Sequence, residues 1–176
     1  MRYTIKSGAL YQEPEHQVLA KIRSALPGPI KTISHPDNHP FLKTDIQYPD
    51  TTDKSAVDVR LKKYVMIDNS DHPIAIAQPF YAKGEDPSET GWPVCRLPKV
   101  NQAELTIHGA HYVLIMHNTQ NFSLQNADGK DIVRLLHKGI SGGWNLEDEH
   151  GFSPAILGGL FAFCRYLELE NEFLIV

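Results

Sequence analysis

The segment HPDNHP at residues 35–40 holds the residues best suited to metal chemistry, which are His35, Asp37 and His39. Imidazole and carboxylate groups are ligands of zinc and similar metals. The prolines exclude the helical i, i+4 spacing of zinc proteases, and the density of turn formers is typical of a loop. We therefore favour a loop here and keep a metal-dependent hydrolase using these three residues as the alternative function.

A second set of residues is basic and consists of Arg60, Lys62 and Lys63, within residues 57–64. On a β-strand, Arg60 and Lys62 would project from one face and Lys63 from the other. Taken alone, the pattern favours a solvated outer face on which Asp58 supplies the counter-charge.

Two further groups could bind a cation, but each has a simpler interpretation. His108 and His111 flank Gly109 and Ala110, and this arrangement is more typical of a hairpin turn than of a metal site. The acidic run EDEH at residues 147–150 favours a solvated lead into the helix that follows, where negative charge suits the helix dipole.

Motifs of catalysis are missing from the sequence, which has no Gly-x-Ser-x-Gly elbow, phosphate loop or Cys-x-x-Cys pair. The two cysteines, Cys95 and Cys164, make no disulfide framework. Cys164 lies in an apolar stretch, where a small buried hydrophobic residue is expected. We predict a non-enzymatic protein with no catalytic residue, no metal and no cofactor.

Length and charge narrow the class of protein. The 176 residues fit a single domain, residues 1–176, and the net charge of −4 with an isoelectric point near 6.1 gives no overall attraction to nucleic acid or anionic lipid. The first residues have no apolar segment typical of a signal peptide, and no stretch is long enough to span a membrane. We expect a cytoplasmic protein without nucleic-acid partners.

Short strands dominate the chain up to its last helix. Their spacing, with turn formers between them and a single clear helix, predicts a β-sandwich or a β-barrel. The predicted strands are residues 3–6, 18–24, 30–33, 42–48, 57–67, 103–108, 111–116, 121–125 and 131–137.

The C-terminal helix is apolar on every side. Ser153 is a good N-cap, Pro154 suits the first helical position, and no charge follows until after Cys164. A helix that is hydrophobic all round is buried all round, and the uncharged stretch from Pro154 to Cys164, about eleven residues, is too short for the roughly 20 residues a bilayer requires. The consecutive glycines Gly158 and Gly159 predict that barrel backbone approaches the helix closely there.

Two segments of the chain resemble each other and predict equivalent hairpins. In register, Tyr64 aligns with Phe122, and Asp68 aligns with Asn126. Each segment is a strand, a polar turn and a return strand, and Asp128-Gly129 gives the clearer turn signal.

These features together resemble the tubby C-terminal-like superfamily, which includes the plant LURP-one-related proteins and the phospholipid scramblases. The likeness covers roughly the last sixty residues and is greatest to small bacterial members whose function is not established. It lies in the hairpin FSLQNADGKDIVRLLHKG, the segment Gly142-Gly143-Trp144, the helix at residues 153–169 and the strand-like residues 173–176.

The resemblance implies an antiparallel β-barrel of about twelve strands closed around a hydrophobic C-terminal helix. Eukaryotic tubby domains bind phosphoinositide headgroups through basic side chains on the barrel. By this resemblance, the candidate anion or lipid-headgroup residues are Arg60, Lys62, Lys63, Lys21 and Arg23. A small ligand or a protein partner is equally compatible with the fold, and lipid binding would place the protein peripherally at the membrane.

Overall fold

The computed structural model describes residues 1–25, 28–50, 58–91 and 97–172, and within them a twelve-stranded barrel. The helices are α1 (Pro87–Thr90), α2 (Pro154–Leu169) and two 3₁₀ turns at Val59–Leu61 and Gly139–Ser141. The strands are β1 (Arg2–Lys6), β2 (Ala9–Gln12), β3 (Gln17–Ser24), β4 (Lys31–Ser34), β5 (Pro40–Gln47), β6 (Lys63–Asp68), β7 (Pro73–Tyr81), β8 (Val100–Ile107), β9 (Ala110–Asn118), β10 (Asn121–Gln125), β11 (Asp131–His137) and β12 (Trp144–Asp148).

The barrel is an antiparallel meander that closes on itself. Each strand pairs with its neighbours in sequence, and β1 also pairs with β12, with Tyr3 opposite Leu146. Closure leaves no open sheet edge on which another chain could add a strand. The fold predicted from the sequence, an antiparallel barrel of about twelve strands with one C-terminal helix, is confirmed.

Helix α2 lies inside the barrel, because it contacts β3 to β6 on one side and β8 and β9 on the other. It begins as predicted, with the Ser153 hydroxyl accepting the N–H of Ile156 at 3.3 Å and Pro154 in the first turn. Cys164 is buried as expected, and burial raises the pKa of its thiol, so it stays un-ionised. The buried residues of α2 are Ile156, Leu157, Gly158, Gly159, Leu160, Ala162, Phe163, Cys164, Tyr166 and Leu167.

The two glycines of α2 face side chains, so the expected approach of barrel backbone is wrong. A Cβ atom at Gly158 would lie 3.0 Å from Ile33 Cγ2, and one at Gly159 would lie 2.6 Å from Met66 Sδ. Both neighbours are fully buried inward-facing residues of the wall. The glycines therefore make room for the large side chains of β4 and β6.

The two look-alike segments form equivalent hairpins. Asp68 Oδ1 accepts the backbone N–H groups two and four residues on, at 2.8 and 2.9 Å, and Asn126 Oδ1 does the same at 3.1 and 3.0 Å. The fourth turn residue has a positive φ in both, +60° at Asp71 and +75° at Gly129. Tyr64 and Phe122 both face the core.

The structure departs from the predicted elements in two places. Residues 57–67 are not one strand, because a 3₁₀ turn occupies Val59–Leu61 and β6 begins only at Lys63. The acidic run is a solvated lead only in part, because Glu147 and Asp148 end β12, whereas Glu149 and His150 follow the strand and are exposed. Asp148 is 1% exposed, and its carboxylate accepts the N–H groups of His150, Gly151 and Phe152.

Residues 51–57, Cys95 and the strand-like residues 173–176 lie outside the described ranges.

Candidate functional site

Lys21 and Arg23 meet at one amide oxygen on the outer surface of β3. Strand alternation points Ala20 and Ile22 into the core, so Lys21 and Arg23 point outward. Lys21 Nζ and Arg23 Nη2 each donate to Asn38 Oδ1 at 3.0 Å, and Lys21 Nζ also donates to Pro36 O at 2.5 Å. The two positive charges are therefore no more than about 6 Å apart, where like charges repel.

The turn between β4 and β5 brings Asn38 to this position. His35 N–H donates to His39 O at 2.8 Å, and Asn38 N–H donates back to His35 O at 2.9 Å. Asn38 has a φ of +76°, a backbone conformation that asparagine tolerates better than most residues. The turn thus sets the amide beside β3, where Lys21 pairs in register with Ser34 at the end of β4.

A third basic side chain lies on the same outer face. Arg23 pairs in register with Thr32, and Thr32 pairs with Lys43, which is exposed on β5. Within the described residues, Lys21, Arg23 and Lys43 form no ion pair with a carboxylate. Asp37, in the same turn, uses its carboxylate to accept the N–H of His39 at 3.1 Å. This face, called the β3–β5 basic face below, offers positive N–H donors to an anion.

Arg60 is held between two carboxylates. Its Nη2 lies 2.6 Å from Asp58 Oδ2, and its Nη1 lies 2.6 Å from Asp86 Oδ2. The hydrogen bond from Arg60 lowers the pKa of Asp58, and hydrogen bonds from Ser88 together with the Arg60 charge lower the pKa of Asp86. Because Arg60 belongs to a 3₁₀ turn, the expected shared strand face with Lys62 is wrong.

Lys62 is also paired, at the end of the barrel where α2 emerges. Its Nζ lies 2.6 Å from Glu170 Oε2, and the two side chains are only 14% and 8% exposed. Tyr64 Oη donates to the other carboxylate oxygen at 3.2 Å, and burial, with the Glu170 charge, raises the pKa of the Tyr64 phenol. This cluster ties the start of β6 to the residue that follows α2.

Lys63 is exposed on β6, and in register it faces Gln47 at the far end of β5 from Lys43. The structure therefore divides the five predicted anion-binding residues. Lys21 and Arg23 lie together, whereas Arg60, Lys62 and Lys63 lie near the other end of β5 and β6.

The histidine-rich segment does not assemble a metal site. His35 stacks on Phe41 with ring centroids 3.5 Å apart, and His39 is exposed. Over the described ranges, no three side chains of His, Cys, Asp or Glu form a group that could hold a metal ion. His108 belongs to the β8–β9 turn, as predicted, and His111 Nδ1 lies 3.2 Å from Thr106 Oγ1.

Asn38 belongs to this candidate site, although the sequence does not indicate it. The turn formers around it predict a loop, but nothing local indicates which strand its side chain meets. Lys43 was also missed, although its place beside Arg23 follows once β3, β4 and β5 are paired in register.

Comparison with known protein families, curated proteins and solved structures finds no match for this chain. Within the described residues, no helix has both the length and the hydropathy that crossing a membrane requires.

Proposed function

We propose that this barrel is a non-enzymatic binding module whose β3–β5 basic face binds a phosphate-bearing anion, first of all a phospholipid headgroup. The observation that carries the proposal is the convergence of Lys21 and Arg23 on a single neutral oxygen, that of Asn38. An anion placed between the two side chains would relieve their mutual repulsion and accept charge-assisted hydrogen bonds. No carboxylate among the described residues already does so.

The geometry of the β3–β5 basic face suits a phosphate group as its ligand. Arg23 can give two parallel N–H donors to one phosphate, whereas the Lys21 ammonium acts as a point charge beside it. Lys43, across β4 from Arg23, lies within the same surface and can contact a second phosphate group. A multiply phosphorylated headgroup, such as that of a phosphoinositide, fits this spacing, in keeping with the tubby-like resemblance of the sequence.

The affinity of this face for a membrane should be modest and dependent on salt. Each basic residue near an anionic surface contributes only about 1 kcal/mol, and screening weakens that contribution as ionic strength rises. The net charge of −4 opposes attraction to the surface as a whole. We therefore propose reversible, peripheral binding at the cytoplasmic face of a membrane.

The test is co-sedimentation with vesicles of phosphatidylcholine alone, with added phosphatidylserine, or with added phosphatidylinositol bisphosphate. We expect wild-type protein to bind the phosphoinositide vesicles at low salt, and the double variant Lys21→Gln/Arg23→Gln to lose that binding. The matched control is Lys63→Gln/Lys83→Gln, which removes two exposed charges elsewhere and should bind as wild type does.

Equal loss of binding in both double variants would show that total charge, and not this face, attracts the membrane. Absence of binding to every vesicle at low salt would contradict a phospholipid headgroup as the origin of the bound phosphate. Titration with inositol hexakisphosphate in the absence of lipid then separates a free phosphorylated ligand from a headgroup. Failure of that ligand as well would contradict the anion site.

A further inference from the structure

The outer wall of β7 to β10 carries a cleft of about 730 Å³, separate from the β3–β5 basic face. Pockets of roughly 300–1,000 Å³ are typical of sites for small molecules. Across its floor, one row of side chains crosses four strands in register. That row is Gln78 on β7, Glu104 on β8, Val113 on β9 and Gln125 on β10.

Each glutamine of this row uses one of its two amide N–H donors within the protein. Gln78 Nε2 donates to the backbone oxygen of Arg60, and Gln125 Nε2 donates to Asp131 Oδ1 at 3.0 Å. Each amide leaves for a ligand its carbonyl oxygen, which accepts hydrogen bonds, and one remaining N–H. The row is therefore rich in acceptors at both ends.

Between the glutamines lies an uncompensated carboxylate. Glu104 is exposed, and it forms no ion pair or hydrogen bond with any residue in the described ranges. This contrasts with Asp58, Asp86 and Glu170, each of which is bound to a basic side chain. An ionised carboxylate flanked by carbonyl oxygens prefers a cation that carries several N–H groups.

Apolar surface beside this row adds a second requirement for the ligand, which is a hydrocarbon portion. Ile76, on β7, is 39% exposed, and Val113 is half-buried on β9. Both residues line the cleft. They can cover a hydrocarbon stem of the ligand, as apolar surface does beneath the stems of lysine and arginine.

We propose that this cleft binds a small organic cation of the alkylguanidinium type. The guanidinium donates to Glu104 and to the carbonyl oxygen of Gln78, its partner in register on β7, and the alkyl stem lies on Ile76 and Val113. The planar fork of a guanidinium matches a carboxylate in a bidentate arrangement, which an ammonium group does not. The net negative charge of the protein favours the approach of a cation.

The test is a titration of ¹⁵N-labelled full-length protein with n-butylguanidinium, followed by NMR. We expect shifts of backbone signals from β7 to β10, and an affinity at least about tenfold lower in Glu104→Gln, because a hydrogen bond between charged groups is lost. The control Glu15→Gln removes an exposed charge far from the cleft and should bind as wild type does. Neutral n-butylurea, of similar shape, should bind at least about tenfold more weakly than the cation.

Unchanged affinity in Glu104→Gln, or equal binding of n-butylurea, would overturn the proposal. Binding of an arginine-containing peptide without any response to n-butylguanidinium would also overturn it, because the occupant would then be a protein segment. These outcomes are independent of the vesicle experiment, since Lys21 and Arg23 take no part in the cleft.

Discussion

Two pairs of basic residues, alike in the sequence, have different surroundings in the folded barrel. Arg60 and Lys62 are bound at 2.6 Å to carboxylates of Asp58, Asp86 and Glu170. Lys21 and Arg23 both donate to the neutral amide oxygen of Asn38, and Lys21 also donates to the backbone carbonyl of Pro36. The first pair is neutralised by carboxylates, whereas the second forms no ion pair within the described residues.

Under the proposed function, counter-charge, more than the density of basic residues, decides which positive groups are available to an anion. Residues 60–63 have the denser basic sequence, yet two of their three charges are neutralised by carboxylates 26 and 108 positions away and by a near neighbour. The carboxylate of Glu170 arrives only because α2 passes through the barrel. Charge patterns along a strand do not contain that information.

The largest effect expected from this comparison is on stability. Glu170→Ala leaves the largely buried Lys62 ammonium without its partner and removes the acceptor of Tyr64. Removing one partner of a buried pair costs about 3 kcal/mol or more of unfolding free energy, measurable by urea denaturation.

The matched control is Glu172→Ala, which removes an exposed carboxylate two residues further on. Its effect should stay within about 0.5 kcal/mol. Similar losses in both variants would contradict a structural role for the Lys62–Glu170 pair.

A smaller effect tests whether Arg60 can be converted into a free cation. Asp58→Asn/Asp86→Asn removes both carboxylates but keeps an oxygen at Asp58 that can accept the N–H of Arg60. We expect phosphoinositide vesicle binding to rise roughly fivefold at low salt, as about 1 kcal/mol per released basic charge implies. The triple variant that adds Arg60→Gln to these two changes should lose the gain.

If the gain persisted after Arg60→Gln, it would come from the change in net charge alone. Whether a basic residue is paired with a carboxylate would then make no difference to vesicle binding.

The fold was predicted well because its signals are local. Ser153 and Pro154 mark the start of α2, the absence of charge through Cys164 predicts burial on all sides, and Asp68 and Asn126 mark matching turns. The strands missed altogether, β2 and β12, are four and five residues long and carry polar side chains such as Gln12 and Asp148. The sequence favours a solvated Asp148, because the backbone N–H groups that its carboxylate accepts come into reach only when the chain turns towards α2.

The site was predicted only in part, because its contacts join residues that lie far apart in the sequence. Lys21 and Arg23 were candidates, but their partner Asn38 lies across a turn whose placement depends on the pairing of β3 with β4. The pairing of Arg60 with Asp86 spans the segment that includes β6 and β7. Contacts of this range follow from strand register, which residue types alone do not determine.

The proposed anion site depends on Lys21 and Arg23 having no carboxylate partner among the described residues, and Asn38→Asp is the substitution that supplies one. This change replaces one side-chain atom, tolerates the positive φ of the turn and places a carboxylate between the two cations. The measurement is binding to phosphatidylinositol bisphosphate vesicles at low salt, with Asn145→Asp on the exposed face of β12 as the charge-matched control. We predict that Asn38→Asp binds the vesicles roughly fivefold more weakly or worse and that the control binds them as wild type does. Wild-type binding in both variants would contradict an anion site at Lys21 and Arg23.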